Sequence, residues 1–141
     1  MVAGECMLEG GVGFLPNKSM EQVKVELLDA VMQTEDEWLR EHFELTFPKL
    51  HNDSYEIPGD HPLPVTLHDA VTQYEPGSEI FGWNVSCDAR LYNRLAGLPT
   101  VVFGAADIKQ AHSDGERVAM AELLSGAKGL ALGLINWCNG E

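Results

Sequence analysis

A chain of 141 residues with 45% hydrophobic side chains fits one ordinary domain or two small pieces, can build a core and is not disordered by composition. Twenty-two acidic residues against nine basic ones give a formal charge of −13, which argues against nucleic acid and against anionic membrane surfaces as partners. The three cysteines are odd in number and lack a Cys-x-x-Cys spacing, so a disulfide framework is not expected and a reducing cytoplasm is. The opening MVAGECMLEGG has no basic or apolar signal-peptide segment, and the apolar run Gly129–Ile135 is too short to span a bilayer.

In chain order, Glu5–Phe14 predicts a strand entering a glycine-rich stretch, and Pro16-Asn17-Lys18 predicts a turn. Ser19 is a helix cap with Gln22 as its capping-box partner. Behind it, Met20, Val23, Leu27, Ala30 and Val31 fall on one helical face, opposite Glu21, Gln22, Glu26 and Asp29. Glu35–His42 predicts a short second helix and Glu44–Phe47 a short strand ended by Pro48. The acid-rich stretch from Glu35 to Asp60 reads as a solvated face, and residues 51–60 as a link between two structural units. His61-Pro62 opens a helix running to about Tyr74. His61 and His68 share one side of it but find no third metal ligand there. Glu79–Trp83 predicts another strand. The last helix, about Met120–Trp137, is apolar around most of its circumference, and Gly126, Gly129 and Gly133 allow a neighbour to approach closely.

The stretch Cys87–Glu116 carries the chemistry-bearing pattern. A polar loop with Asp88 and Arg90 leads to a short helix, a Gly-Leu-Pro break and a β run at Thr100–Phe103. A loop then presents His112 among Ser113, Asp114 and Glu116. A histidine on a loop past the carboxyl end of a buried strand stands where α/β sheets place ligands. Alone, such a histidine is more often a surface residue than a metal ligand.

Three runs stand in order: Ser86-Cys87-Asp88-Ala89-Arg90, Gly97-Leu98-Pro99-Thr100-Val101-Val102-Phe103-Gly104, and Ala111-His112-Ser113-Asp114-Gly115-Glu116. Together they resemble the C-terminal end of the dizinc aminoacylase, acetylornithine deacetylase and succinyl-diaminopimelate desuccinylase family of metallopeptidases. Cys6–Lys18 and His61-Pro62-Leu63 resemble acetylornithine-deacetylase-like members most.

The resemblance implies an α/β fold. Residues 1–50 would form the C-terminal half of an α+β lid used for dimerisation, 51–60 a linker, and 61–141 the end of a catalytic domain. It implies His112 as a zinc ligand, Ser113 and Glu116 as groups orienting its ring, and Asp88 and Arg90 on the substrate side, with Arg90 holding a substrate carboxylate. For Asp88 and Arg90 the residues alone allow an equal reading as a helix N-terminus, with Asp88 as cap and Arg90 solvated. The implied activity is zinc- or cobalt-dependent hydrolysis of N-acyl amino acids or small peptides. The family's remaining ligands and its general base have no match in this chain, so it is expected to be catalytically incomplete alone. A homodimer, or pairing with a complementing N-terminal segment, is expected. The other reading is a non-catalytic dimerisation or binding module derived from that family.

Overall fold

The computed structural model describes residues 4–49 and 52–140. Leu50 and His51, at the edge of the expected linker, lie outside the described residues. The chain divides into two units. One runs to Tyr55 and regains Asn84–Cys87; the other holds Glu56–Trp83 and continues from Asp88.

In the first unit, α1 (Met20–Met32) starts where the sequence predicts it. The Gln22 N–H donates to Ser19 Oγ at 3.2 Å, and the Ser19 N–H donates to Gln22 Oε1 at 2.8 Å. This reciprocal box satisfies two of the backbone donors that a helix start leaves open. A further one, the Met20 N–H, donates to Asp53 Oδ1 at 2.6 Å. Val23 is the buried residue of α1, while Lys24 pairs with Glu21 at 2.8 Å and lies over the Phe47 ring. Helix α2 (Glu37–His42) is a short piece capped by Asp36, which accepts from the Leu39 N–H at 3.0 Å. Trp38 and His42, one turn apart, stack with ring centroids 4.6 Å apart.

In the second unit, α3 (Pro62–Val71) begins at the expected His61-Pro62 and ends three residues before Tyr74. His61 Nδ1 accepts from the Leu63 N–H at 3.1 Å, and Pro62 fills the first helical position, where no N–H is needed. His68 uses Nε2 toward the Ser78 carbonyl at 3.1 Å. Both imidazoles therefore serve the local backbone. Helix α4 (Ala89–Ala96) ends on Gly97 at φ +65°, the left-handed turn that favours glycine.

Helix α5 (Met120–Asn139) packs across α3 through its glycines. A Cβ on Gly129 would stand 2.9 Å from Val71 Cγ2, and one on Gly133 would stand 3.0 Å from Leu67 Cδ1. This close approach compensates the poor helix propensity of glycine. Ala70, wholly inaccessible, and Val71 sit at the crossing.

The expected α/β fold is corrected: the described residues form helices and turns and no strand. Glu5–Phe14, Glu44–Phe47, Glu79–Trp83 and Thr100–Phe103 all lack a ladder partner. A β-branched run sets a local preference, but a strand exists only when a second one satisfies its backbone groups. For Val101–Phe103 none comes alongside among the described residues, and Val102 stays 47% exposed.

Candidate functional site

The loop after residue 104 is built by local backbone chemistry. Asp107 caps a single 3-10 turn, Ile108–Gln110, by accepting from the Lys109 N–H at 3.0 Å. Ser113 Oγ donates to the Gln110 carbonyl at 2.7 Å. His112 follows at φ +60°, and Ala106 precedes the turn at φ +80°. Both are left-handed conformations that side chains adopt at a cost. The Glu116 carboxylate closes the loop by accepting from the His112 N–H at 3.1 Å. His112 is exposed on this loop.

The structure thus joins His112 to Glu116 and Ser113 to Gln110. Glu116 grips the backbone of His112, and the Ser113 hydroxyl is engaged with a carbonyl; neither bond goes to the imidazole. The sequence gives no direct sign of the roles of Asp107 and Gln110, although an aspartate two residues before Lys109 is a recognisable turn signal.

At the other candidate position, Asp88 occupies the N-cap of α4 but makes no side-chain cap bond, so the exposed carboxylate is open to solvent. Arg90 lies inside α4, half-buried, rather than on a loop. Asp88 has no hydrogen bond or ion pair to the His112 loop. In the first unit, Tyr55 is a titratable group that its surroundings shift. Burial raises its phenol above the ordinary value, and the nearby Cys87 adds to the rise. Cys6, Cys87 and Cys138 are not joined in disulfides.

Among the described residues no three or more His, Cys, Asp or Glu side chains come together to hold a metal ion. His112 is a single imidazole donor, and a zinc site generally draws at least three protein ligands. No zinc or cobalt shell is gathered around His112 by the described residues of this chain alone. No described helix is long and apolar enough to cross a membrane.

Comparison with known proteins turns up deformylases. The relative in Bacillus subtilis (strain 168) is named N-formyl-4-amino-5-aminomethyl-2-methylpyrimidine deformylase. It is 32% identical over 153 aligned positions, covering 98% of this chain and 35% of the relative. A protein of the same name in Halalkalibacterium halodurans is 27% identical over 151 positions, with the same coverage of each chain. The chain spans about a third of the length of the curated relatives it matches. No family model and no solved structure matches it.

These names correct the family expectation. The curated relatives are named for removing a formyl group from a pyrimidine, and not as acetylornithine-deacetylase-like zinc peptidases acting on N-acyl amino acids.

Proposed function

We propose that this chain is one part of a deformylase that hydrolyses the formamide of an N-formylated aminomethylpyrimidine. The supporting observation is 32% identity extending over 98% of the chain, to a relative carrying that name. Because the match covers 35% of the relative, activity on this reading belongs to a larger assembly of which the chain supplies a third.

The reaction adds water to the formyl carbon. The tetrahedral adduct then collapses, expelling the protonated nitrogen as a primary amine and releasing formate. Two positions in this chain suit that chemistry. His112, exposed and fixed by Glu116 at its backbone, is the group that exchanges a proton with water or with the leaving nitrogen. Asp88, open at the start of α4, accepts a hydrogen bond from the 4-amino group of the pyrimidine. A reducing cytoplasm is the proposed location, supported by three cysteines that form no disulfide.

The test is to co-express the chain with the part of the Bacillus subtilis relative outside the matched third. Formate release from the N-formylated pyrimidine is then measured. Release that needs both parts is expected. No release from the purified pair, under conditions where the intact relative is active, would overturn the reading.

A further inference from the structure

We propose that the outward side of α5 is the docking surface for the two thirds of a deformylase-type chain that this sequence does not span. The inference rests on the reading of the chain as one part of such an enzyme. Helix α5 has two unlike sides. Gly126, Gly129 and Gly133 recur at helical spacing and turn toward Phe103, Val71 and Leu67. About a quarter turn round from the glycines Leu123, Leu130 and Leu134 follow one another in register, and Leu124 and Ile135 lie opposite the glycine side. Their exposures run from 41% at Leu130 to 57% at Ile135. From Leu123 to Asn139 the helix carries one charged residue, Lys128, whose ammonium lies 6.0 Å over the Tyr74 ring.

A helix on the surface of an ordinary protein sets a polar stripe opposite its buried one. Here the second side is as apolar as the first, and monomers seldom leave such a contiguous face in water.

The total surface sets the scale of what is missing. The chain exposes 11334 Å2. A monomer of 15.5 kDa exposes about 7,200 Å2 by the usual scaling, and two separate bodies of half that mass about 8,700 Å2. The excess over even the larger figure, on the order of 2,500 Å2, is shared by α5 with residues elsewhere such as Met7 and Leu95, and as a whole it exceeds the ~800 Å2 that one partner contributes to a standard interface. A second copy of the chain is the weaker occupant, since it would set one charge of −13 against another. The curated relatives carry about twice as much polypeptide again beyond the matched part. That additional polypeptide is the occupant to which the geometry points.

The probe is the unmatched part of the Bacillus subtilis relative, co-expressed with the full chain. Cys138, an exposed thiol on the far side of α5, is the footprint, and Cys6, exposed in the other unit, is the reference. Co-purification is expected, with maleimide labelling lost at Cys138 and retained at Cys6. Leu134→Glu and Ile135→Glu should abolish co-purification while keeping the helical circular dichroism of the free chain. Val25→Glu, an equally exposed apolar-to-acid change on α1, should not. The inference is overturned if the two α5 variants co-purify like wild type, if Cys138 stays reactive in the complex, or if no complex forms. Burial of α5 only in homo-oligomers or on phosphatidylcholine vesicles would overturn it too. Formate release separates this inference from the functional reading. An α5-dependent complex without formate release sinks the deformylase reading alone, and release with Cys138 still reactive sinks the docking surface alone.

Discussion

Gly129→Ala should destabilise the α3–α5 pair, although alanine is the better helix former. The propensity gain is about 1 kcal/mol. Against it, the added methyl would stand 2.9 Å from Val71 Cγ2 and 3.0 Å from Val71 Cα. A side-chain end can rotate away, but a backbone carbon moves only if the helices separate. Overpacking of that kind costs ~1–3 kcal/mol. With both contacts this short, the upper part of that range applies and the net loss is about 1–2 kcal/mol, or roughly 5–10 °C in Tm for a unit of this size. Gly126→Ala is the counterpart. Its methyl would meet Ala105 Cβ at 3.3 Å and Phe103 Cζ at 3.8 Å, contacts that yield with small shifts. There the propensity gain prevails, and stability should hold or rise by up to about 1 kcal/mol. Thermal and urea unfolding of the full chain, followed by circular dichroism, compares the two. If Gly129→Ala were as stable as wild type, or Gly126→Ala the more damaging change, close helix approach would not be the role of Gly129.

Ser19→Ala removes one half of the α1 capping box and should cost about 1 kcal/mol in urea unfolding, with Ser19→Gly closer to wild type. Tyr55 should release its proton above the ordinary tyrosine value in an alkaline titration followed by phenolate absorbance, and Tyr55→Phe should remove that late step. The folded chain holds the Tyr55 proton more tightly than the unfolded chain does. Its contribution to stability is therefore full below the ordinary tyrosine value and is lost as the pH rises through the raised one. His112→Ala should change stability by no more than about 0.5 kcal/mol, because the side chain is exposed, while lowering formate release by the reconstituted pair.

The helices were legible because their signals are local. Ser19 with Gln22, His61 before Pro62, and the glycine after Ala96 each act within a turn of where they stand, and the structure uses all three. The strands were misread for the complementary reason. Thr100–Phe103 has the composition of a strand, but pairing depends on a neighbour that the run itself does not encode. At the candidate site, the exposure of His112 on a loop could be read from Ala111–Glu116, whereas the grip of Glu116 on its backbone could not. The choice between cap and free carboxylate at Asp88 was equally open in the sequence, because it turns on the backbone angles of one residue. The family expectation rested on short runs, of which Gly97-Leu98-Pro99 also does the ordinary work of ending a helix.

The contact between Asp53 and the Met20 N–H has a consequence for the order in which the chain matures. Helix α1 leaves the ribosome with its Ser19–Gln22 box already available, yet the carboxylate that completes its amino end is 33 residues further along. During synthesis α1 is therefore held at first by local bonds alone and gains its last anchor only when Asp53 emerges. A nascent chain arrested before Asp53 should show a frayed α1 start in amide exchange, and one arrested well after it a protected start.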